Sequence, residues 1–162
     1  MKHLLEEVGA PAAIPFGADL NIKKILVAVD LSPHSEQTAA YAAEFAARFG
    51  ASVTLIHVSS PKETAELTGV KDCRFDDPVI APEKKLEDLA KKIRKSYPTC
   101  SAYLCIGDPA EKVVMMAEML RADLILTGSR HPRFLGQLLG VDQPTRIVHR
   151  APCPVLVYHD GN

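Results

Sequence analysis

The sequence predicts an α/β domain built around a mostly parallel sheet, and three observations carry that expectation. Ile25-Leu26-Val27-Ala28-Val29 is an unbroken apolar run ending at Asp30. It lacks the alternation of a half-exposed strand and has the pattern of a parallel strand covered on both faces. Five β-prone segments alternate with four helical ones, an order that gives right-handed crossovers onto one sheet. Two of the helices open on a capping residue followed by proline, Ser32-Pro33 and Asp108-Pro109. Proline there loses no helix bond and presets φ.

The elements follow in order. Residues 1–21 read as an N-terminal arm and 22–160 as the domain, with the core starting at Ile22. The first helix runs from Pro33 to Gly50, a glycine suited to the left-handed residue after a helix. Its Tyr41, Phe45 and Phe49 recur every four residues beside Ala39, Ala42, Ala43 and Ala46, so the helix can lie close on a sheet. Residues 52–58 form the second strand. Residues 59–80 hold Pro61, Gly69 and Pro78 without a sustained period and read as a long loop able to reach partners. A charged helix starts at Pro82, and a third strand spans 102–106. Asp108-Pro109-Ala110-Glu111 supplies cap and first turn of the next helix, much as a capping box does. The fourth strand is read over 122–127, a helix falls between Leu135 and Arg150, and Pro152 to Tyr158 closes the chain as a fifth strand. Ligands of such sheets bind beyond the carboxyl ends of the strands, where the strand order reverses. Asp30, Val58, Gly107 and Gly128 mark those ends.

Composition excludes several classes. Hydrophobic residues are 47% and charged residues 24% of 162, a folded and not a disordered profile. A chain this long buries roughly 68–70% of its unfolded surface, so it needs no disulfide or metal staple. Nineteen Lys and Arg against twenty Asp and Glu leave a formal charge of −1, which argues against nucleic acid and anionic membranes as partners. Cys73, Cys100, Cys105 and Cys153 show neither CxxC nor zinc spacing and read as thiols of a reducing cytoplasm. No apolar run reaches the roughly 20 residues of a membrane span, and residues 1–20 lack the apolar stretch of a secretory signal. A cytoplasmic protein is therefore expected. No nucleophile elbow, Walker loop or metal motif stands out.

Read together, Ile25 to Ser32 with Ser35, then Leu55-Ile56-His57-Val58, Gly107-Asp108-Pro109-Ala110, Ala122 to Ser129 and Ala151 to Val157 resemble the universal stress protein family, in its order and spacing over about residues 22–158. The resemblance implies a three-layer α/β/α sandwich with a five-stranded mostly parallel sheet, Rossmann-like and of the adenine nucleotide alpha hydrolase-like type. It also implies a homodimer through the last strand. Members that bind ATP carry a motif after strand four: Gly, two residues, Gly, nine residues, Gly, then Ser or Thr. By that resemblance, nucleotide-contacting positions are Ala28, Val29, Asp30, Val58, Thr127, Gly128, Arg130, His131, Gly140, Val141 and Asp142.

The motif is altered here. Gly128 matches the first glycine, but an ungapped count puts His131, Val141 and Asp142 at the other three positions. Gly140 takes the third only if the loop is one residue shorter. A β-branched valine suits a positive φ poorly, and an aspartate repels phosphates that a hydroxyl would bind. Arg130, His131 and Arg133 are either a compensating anion site or a solvated loop. The expectation is a dimeric stress-response protein that acts by binding and not by catalysis, with a degenerate ATP motif. The alternative is a switch or slow ATPase that binds ATP or AMP. Asp30 either contacts a nucleoside or caps its loop. His57 reads as a satisfied core histidine, Asp142 as a helix cap, and Arg146, His149 and Arg150 as complements of a helix C-terminus.

Overall fold

A computed structural model describes residues 21–59, 81–129 and 143–159. In chain order the elements are β1 (Lys24–Ala28), α1 (Pro33–Phe49), β2 (Ser52–Ser59), α2 (Pro82–Ser96), β3 (Cys100–Ile106), α3 (Pro109–Leu120), β4 (Leu124–Ser129), α4 (Gln143–Arg150) and β5 (Val155–His159). The strands form one sheet in the order β3-β2-β1-β4-β5. Each neighbouring pair is parallel. The sheet lies between two helical layers, so the chain is a three-layer, Rossmann-like α/β/α sandwich.

Both faces of β1 are covered, as its apolar run requires. Ile25 and Val27 join Ala39, Ala42, Ala46, Leu86, Ala90 and Ile93 of α1 and α2 in one core. Leu26 points the other way, onto Ala110, Val113, Met116 and Ala117 of α3 and Ile147 of α4. Four alanines of α1 are buried, three of them completely, and they bring the helix axis close to the sheet. The aromatic row of α1 runs to the sheet's edge, where Tyr41 stacks on Tyr158 of β5 at 4.6 Å.

Tertiary pairing moved several strand ends. β3 begins at Cys100, not Ala102, because Cys100 and Ser101 sit in register with Val53 and Thr54. β4 is displaced from 122–127 to 124–129: Ala122 still bonds back to Ala117, while Gly128 and Ser129 pair with Tyr158 and His159. β5 starts only at Val155, since Pro152 and Pro154 bring no N–H to the ladder. Pro154 contributes its carbonyl instead, accepting from the Ile125 amide at 3.0 Å.

The helix ends follow the sequence signals, with one change of mechanism. Gly50 is left-handed at φ 61° and closes α1 on the Ala46 carbonyl. Asp108 caps α3 by accepting from the Glu111 amide. Ser32 holds the extended cap conformation before α1, but its side chain makes no cap bond. The Ser35 amide of the first turn donates instead to the Ser32 carbonyl at 2.9 Å, while Asp30 two residues upstream accepts from the Ser32 amide and the Ser35 hydroxyl. Among the described residues, no helix is long and apolar enough to cross a membrane.

Candidate functional site

β1 is the centre of the sheet and the place where chain direction reverses. From β1 the chain steps outward to β2 and β3 with α1 and α2 on one face. It then returns across β1 to β4 with α3 and α4 on the other. The helices that follow β1 and β4 therefore lie on opposite faces, the arrangement in which such sheets hold a ligand in a crevice beyond the carboxyl ends of the two strands.

The chain after β1 is a tight polar turn. The Asp30 carboxylate accepts from the Ser32 amide at 2.9 Å and from the Ser35 hydroxyl at 2.7 Å, both on Oδ1. The Asp30 amide donates to the Ser35 hydroxyl at 3.1 Å, closing a reciprocal pair. Leu31 pays into this geometry with a φ of 58°, a left-handed conformation that costs a branched residue about 1–2 kcal/mol. Its side chain packs against the α1–α2 core, which holds it there. Asp30 thus caps its loop while remaining exposed at the rim.

β2 forms the next wall. His57 bonds the Val29 carbonyl through Nδ1 at 2.9 Å, so it is a satisfied structural histidine that pins β2 to the end of β1. Val58 is half-buried and in register with Cys105. Next to it, Ser59 is 3% exposed and its hydroxyl has no hydrogen-bond partner among the described residues. The Ser32 hydroxyl is likewise buried and unpartnered. Two orphan hydroxyls therefore flank Asp30 and Val58 at the same end of the sheet.

β4 supplies the opposite wall. Ala28 is in register with both Ile56 and Thr127, which sets Ala28, Val29, Asp30, Thr127 and Gly128 side by side. Thr127 is 5% exposed and donates weakly to the Gly128 carbonyl at 3.3 Å. A Cβ on Gly128 would come 2.6 Å from Thr38 Oγ1, so the close approach of α1 requires glycine there. Packing alone accounts for this first glycine of the motif. Arg130, His131, Gly140, Val141 and Asp142 lie outside the described residues.

Gly107, at φ 142°, makes the turn from β3 into the Asp108 cap, and its amide donates to the Ser59 carbonyl at 3.0 Å. Arg146 does not complement the C-terminus of α4, as its position in the sequence suggests. It grips Asp108 with two bonds, Nη1 to Oδ2 at 2.9 Å and Nη2 to Oδ1 at 3.1 Å. The guanidinium, followed by the Glu111 amide, holds the Asp108 carboxyl below the usual carboxylate range. Glu111 itself lies 3.8 Å from Arg150, so its carboxylate turns toward α4.

Among the described residues, no cluster of three or more His, Cys, Asp or Glu could hold a metal. Burial pushes the Cys100 and Cys153 thiols up, which keeps both protonated near neutrality. Ser32, Ser35 and Ser59 were not legible as site residues. Only the Asp30-to-Ser35 spacing offered a signal, and no sequence pattern distinguishes Ser59 from any strand-end serine.

Comparison with known proteins agrees with this architecture. A family model described as the universal stress protein family matches residues 21–159. A universal stress protein of Thermus aquaticus is 32% identical over 141 residues, covering 83% of this chain and 97% of its own. A universal stress protein A homolog of Coxiella burnetii is 30% identical, covering 85% and 96%. Among solved structures, a universal stress protein in complex with cAMP superposes with a TM-score of 0.64 at 19% identity, over 86% of this chain and 98% of its own. The universal stress protein from Archaeoglobus fulgidus in complex with dAMP gives 0.59 at 20% identity, over 85% and 98%. At these identities the structures speak for the shared fold.

Proposed function

The chain belongs to the universal stress protein family, and from that premise we propose that it is a cytoplasmic stress-response protein that binds an adenine nucleotide with a short phosphate chain and acts by binding, not catalysis. The observation that carries this reading is the reversal of strand order at β1, which sets the exposed Asp30 and half-buried Val58 beside Thr127 and Gly128 at the carboxyl ends of the strands. Asp30 at the rim can accept from a ribose hydroxyl. The phosphate side is where this sequence departs from ATP binders, with Val141 and Asp142 in place of glycine and hydroxyl. A monophosphate places less charge against Asp142 than a triphosphate does. The two structural relatives above were solved with cAMP and dAMP, each bearing one phosphate.

Calorimetry with AMP, cAMP and Mg-ATP tests the proposal. AMP or cAMP is expected to bind at least about tenfold more tightly than Mg-ATP, a gap of about 1.4 kcal/mol. Tighter binding of Mg-ATP with release of ADP would establish the ATP-switch reading in its place.

The same reading includes a homodimer through β5. This strand is an edge of the sheet, and Val155, Leu156, Val157 and Tyr158 are all only half-buried in the single chain. An apolar edge with unpaired backbone groups invites a second copy, and the Tyr41–Tyr158 stack extends the apolar surface onto α1. Sedimentation velocity at micromolar concentration should give twice the chain mass. A monomer mass that stays constant with concentration would refute the dimer.

A further inference from the structure

α4 is the shortest of the described helices. It has eight residues, below the length at which a helix holds itself together in water. Among its residues with described side chains, Ile147 is the buried one, at 2% exposure. A single apolar anchor restrains rotation weakly, and the exposed Arg150–Glu111 pair at 3.8 Å adds little to it. The closer polar attachment is Arg146, one residue before Ile147, whose guanidinium spans both oxygens of Asp108. A planar fork on a carboxylate fixes orientation as well as distance.

Asp108 is itself held. It caps α3 through the Glu111 amide at 3.0 Å and follows Gly107, whose amide is tied to the Ser59 carbonyl. The contact therefore runs from the end of β2, through the start of α3, to the first turn of α4. Ser59 and Val58 stand at one end of that line and α4 at the other.

We infer that Asp108 is a positioning residue for the crevice: through Arg146 it sets where the first turn of α4 stands relative to the ends of β1, β2 and β4. Asp108 touches no ligand in this role, and the inference rests on the nucleotide reading above. It assigns a purpose to the charge at position 108 that capping does not need, because asparagine caps a helix as well as aspartate does.

That difference supplies the test, made on the full chain. Asp108→Asn keeps an acceptor for the Glu111 amide and removes the charge from the fork. Arg146→Gln removes the fork and leaves the cap untouched. Amide hydrogen exchange and AMP calorimetry are run on both variants and on the double variant, at a temperature where circular dichroism shows all of them folded. The Ala151 amide, bonded to the Ile147 carbonyl, is expected to exchange about tenfold faster in each single variant, while α3 amides keep their rates. AMP affinity is expected to fall about five- to tenfold in each, and the double variant should be no worse than either single one, as for two residues acting through one contact.

Equal AMP affinity in Asp108→Asn and wild type overturns the inference while the nucleotide reading stands. So does a double variant whose loss is the product of the two single losses. Faster exchange throughout α3 in Asp108→Asn would also overturn it, by making the residue a cap and nothing more. A wild-type chain that binds neither AMP nor cAMP removes the nucleotide reading and, with it, the site to be positioned.

Discussion

Replacing Val141 with Gly and Asp142 with Ser is expected to raise affinity for Mg-ATP by about two decades. Two unit charges 4 Å apart repel by about 4 kcal/mol at an effective dielectric near 20, equivalent to about three decades of affinity. On the reading that makes Arg130, His131 and Arg133 a compensating anion site, they offset part of that repulsion, which brings the expected gain to about two decades. By the resemblance to the family motif, glycine at 141 would allow a positive φ that valine resists, and serine at 142 would put a donor in place of a carboxylate. AMP affinity should move by less than about tenfold, because one phosphate presents less charge to position 142. Calorimetry on the double variant with both ligands reads the result. Unchanged ATP affinity would mean that these two positions do not limit triphosphate binding. High salt should narrow the gap between wild type and variant, since screening weakens the repulsion being removed.

Gly128→Ala carries the second large effect, and on stability. The new methyl would meet Thr38 Oγ1 at 2.6 Å and the Thr38 Cβ and Cγ2 at 3.6 Å. Thr38 is 4% exposed, and its helix is seated on the sheet through Ala39, Ala42 and Ala46 at 0%. α1 cannot back away without opening that core. Thr38 Oγ1 also donates to the His34 carbonyl at 3.1 Å, which holds its rotamer. Overpacking of this kind costs about 2 kcal/mol, or about 4–8 °C in Tm for a chain of this size. Thr38→Ala removes the atom in the way, so the double variant should recover at least about half of the loss. Thermal denaturation followed by circular dichroism decides it. A Gly128→Ala chain as stable as wild type, or a double variant no better than the single, would show that α1 adjusts freely. The expected outcome separates fold from ligand: Gly128 can be retained for packing in a member of this family whatever its phosphate loop does.

These two cases mark different depths of legibility. β1 could be read directly because a strand covered on both faces needs an uninterrupted apolar run, and Ile25 to Val29 supplies one. The caps at Gly50 and Asp108 were equally legible, since left-handed φ and orphan amides select few residue types. Strand ends were less so. β3 gained Cys100 and Ser101 and β4 shifted by two residues because ladder pairing, not local composition, decides where a strand stops. The candidate site divides the same way. Asp30 and Val58 follow from their places at strand ends. The orphan hydroxyls of Ser32 and Ser59 do not, because a partnerless group is defined by everything around it.

Linear order alone thus determined the alternation of strands and helices and the mostly parallel sheet, because periodicity and turn chemistry act over a few residues and leave their pattern in the chain; the family and its three layers came from the resemblance of several segments taken together. Tertiary structure decided that Arg146 meets Asp108 across 38 positions, that α1 leaves no room for a methyl at Gly128, and which hydroxyls lack partners. Those outcomes depend on distances between segments remote in sequence, and such distances exist only once the sheet and both helical layers have closed on one another.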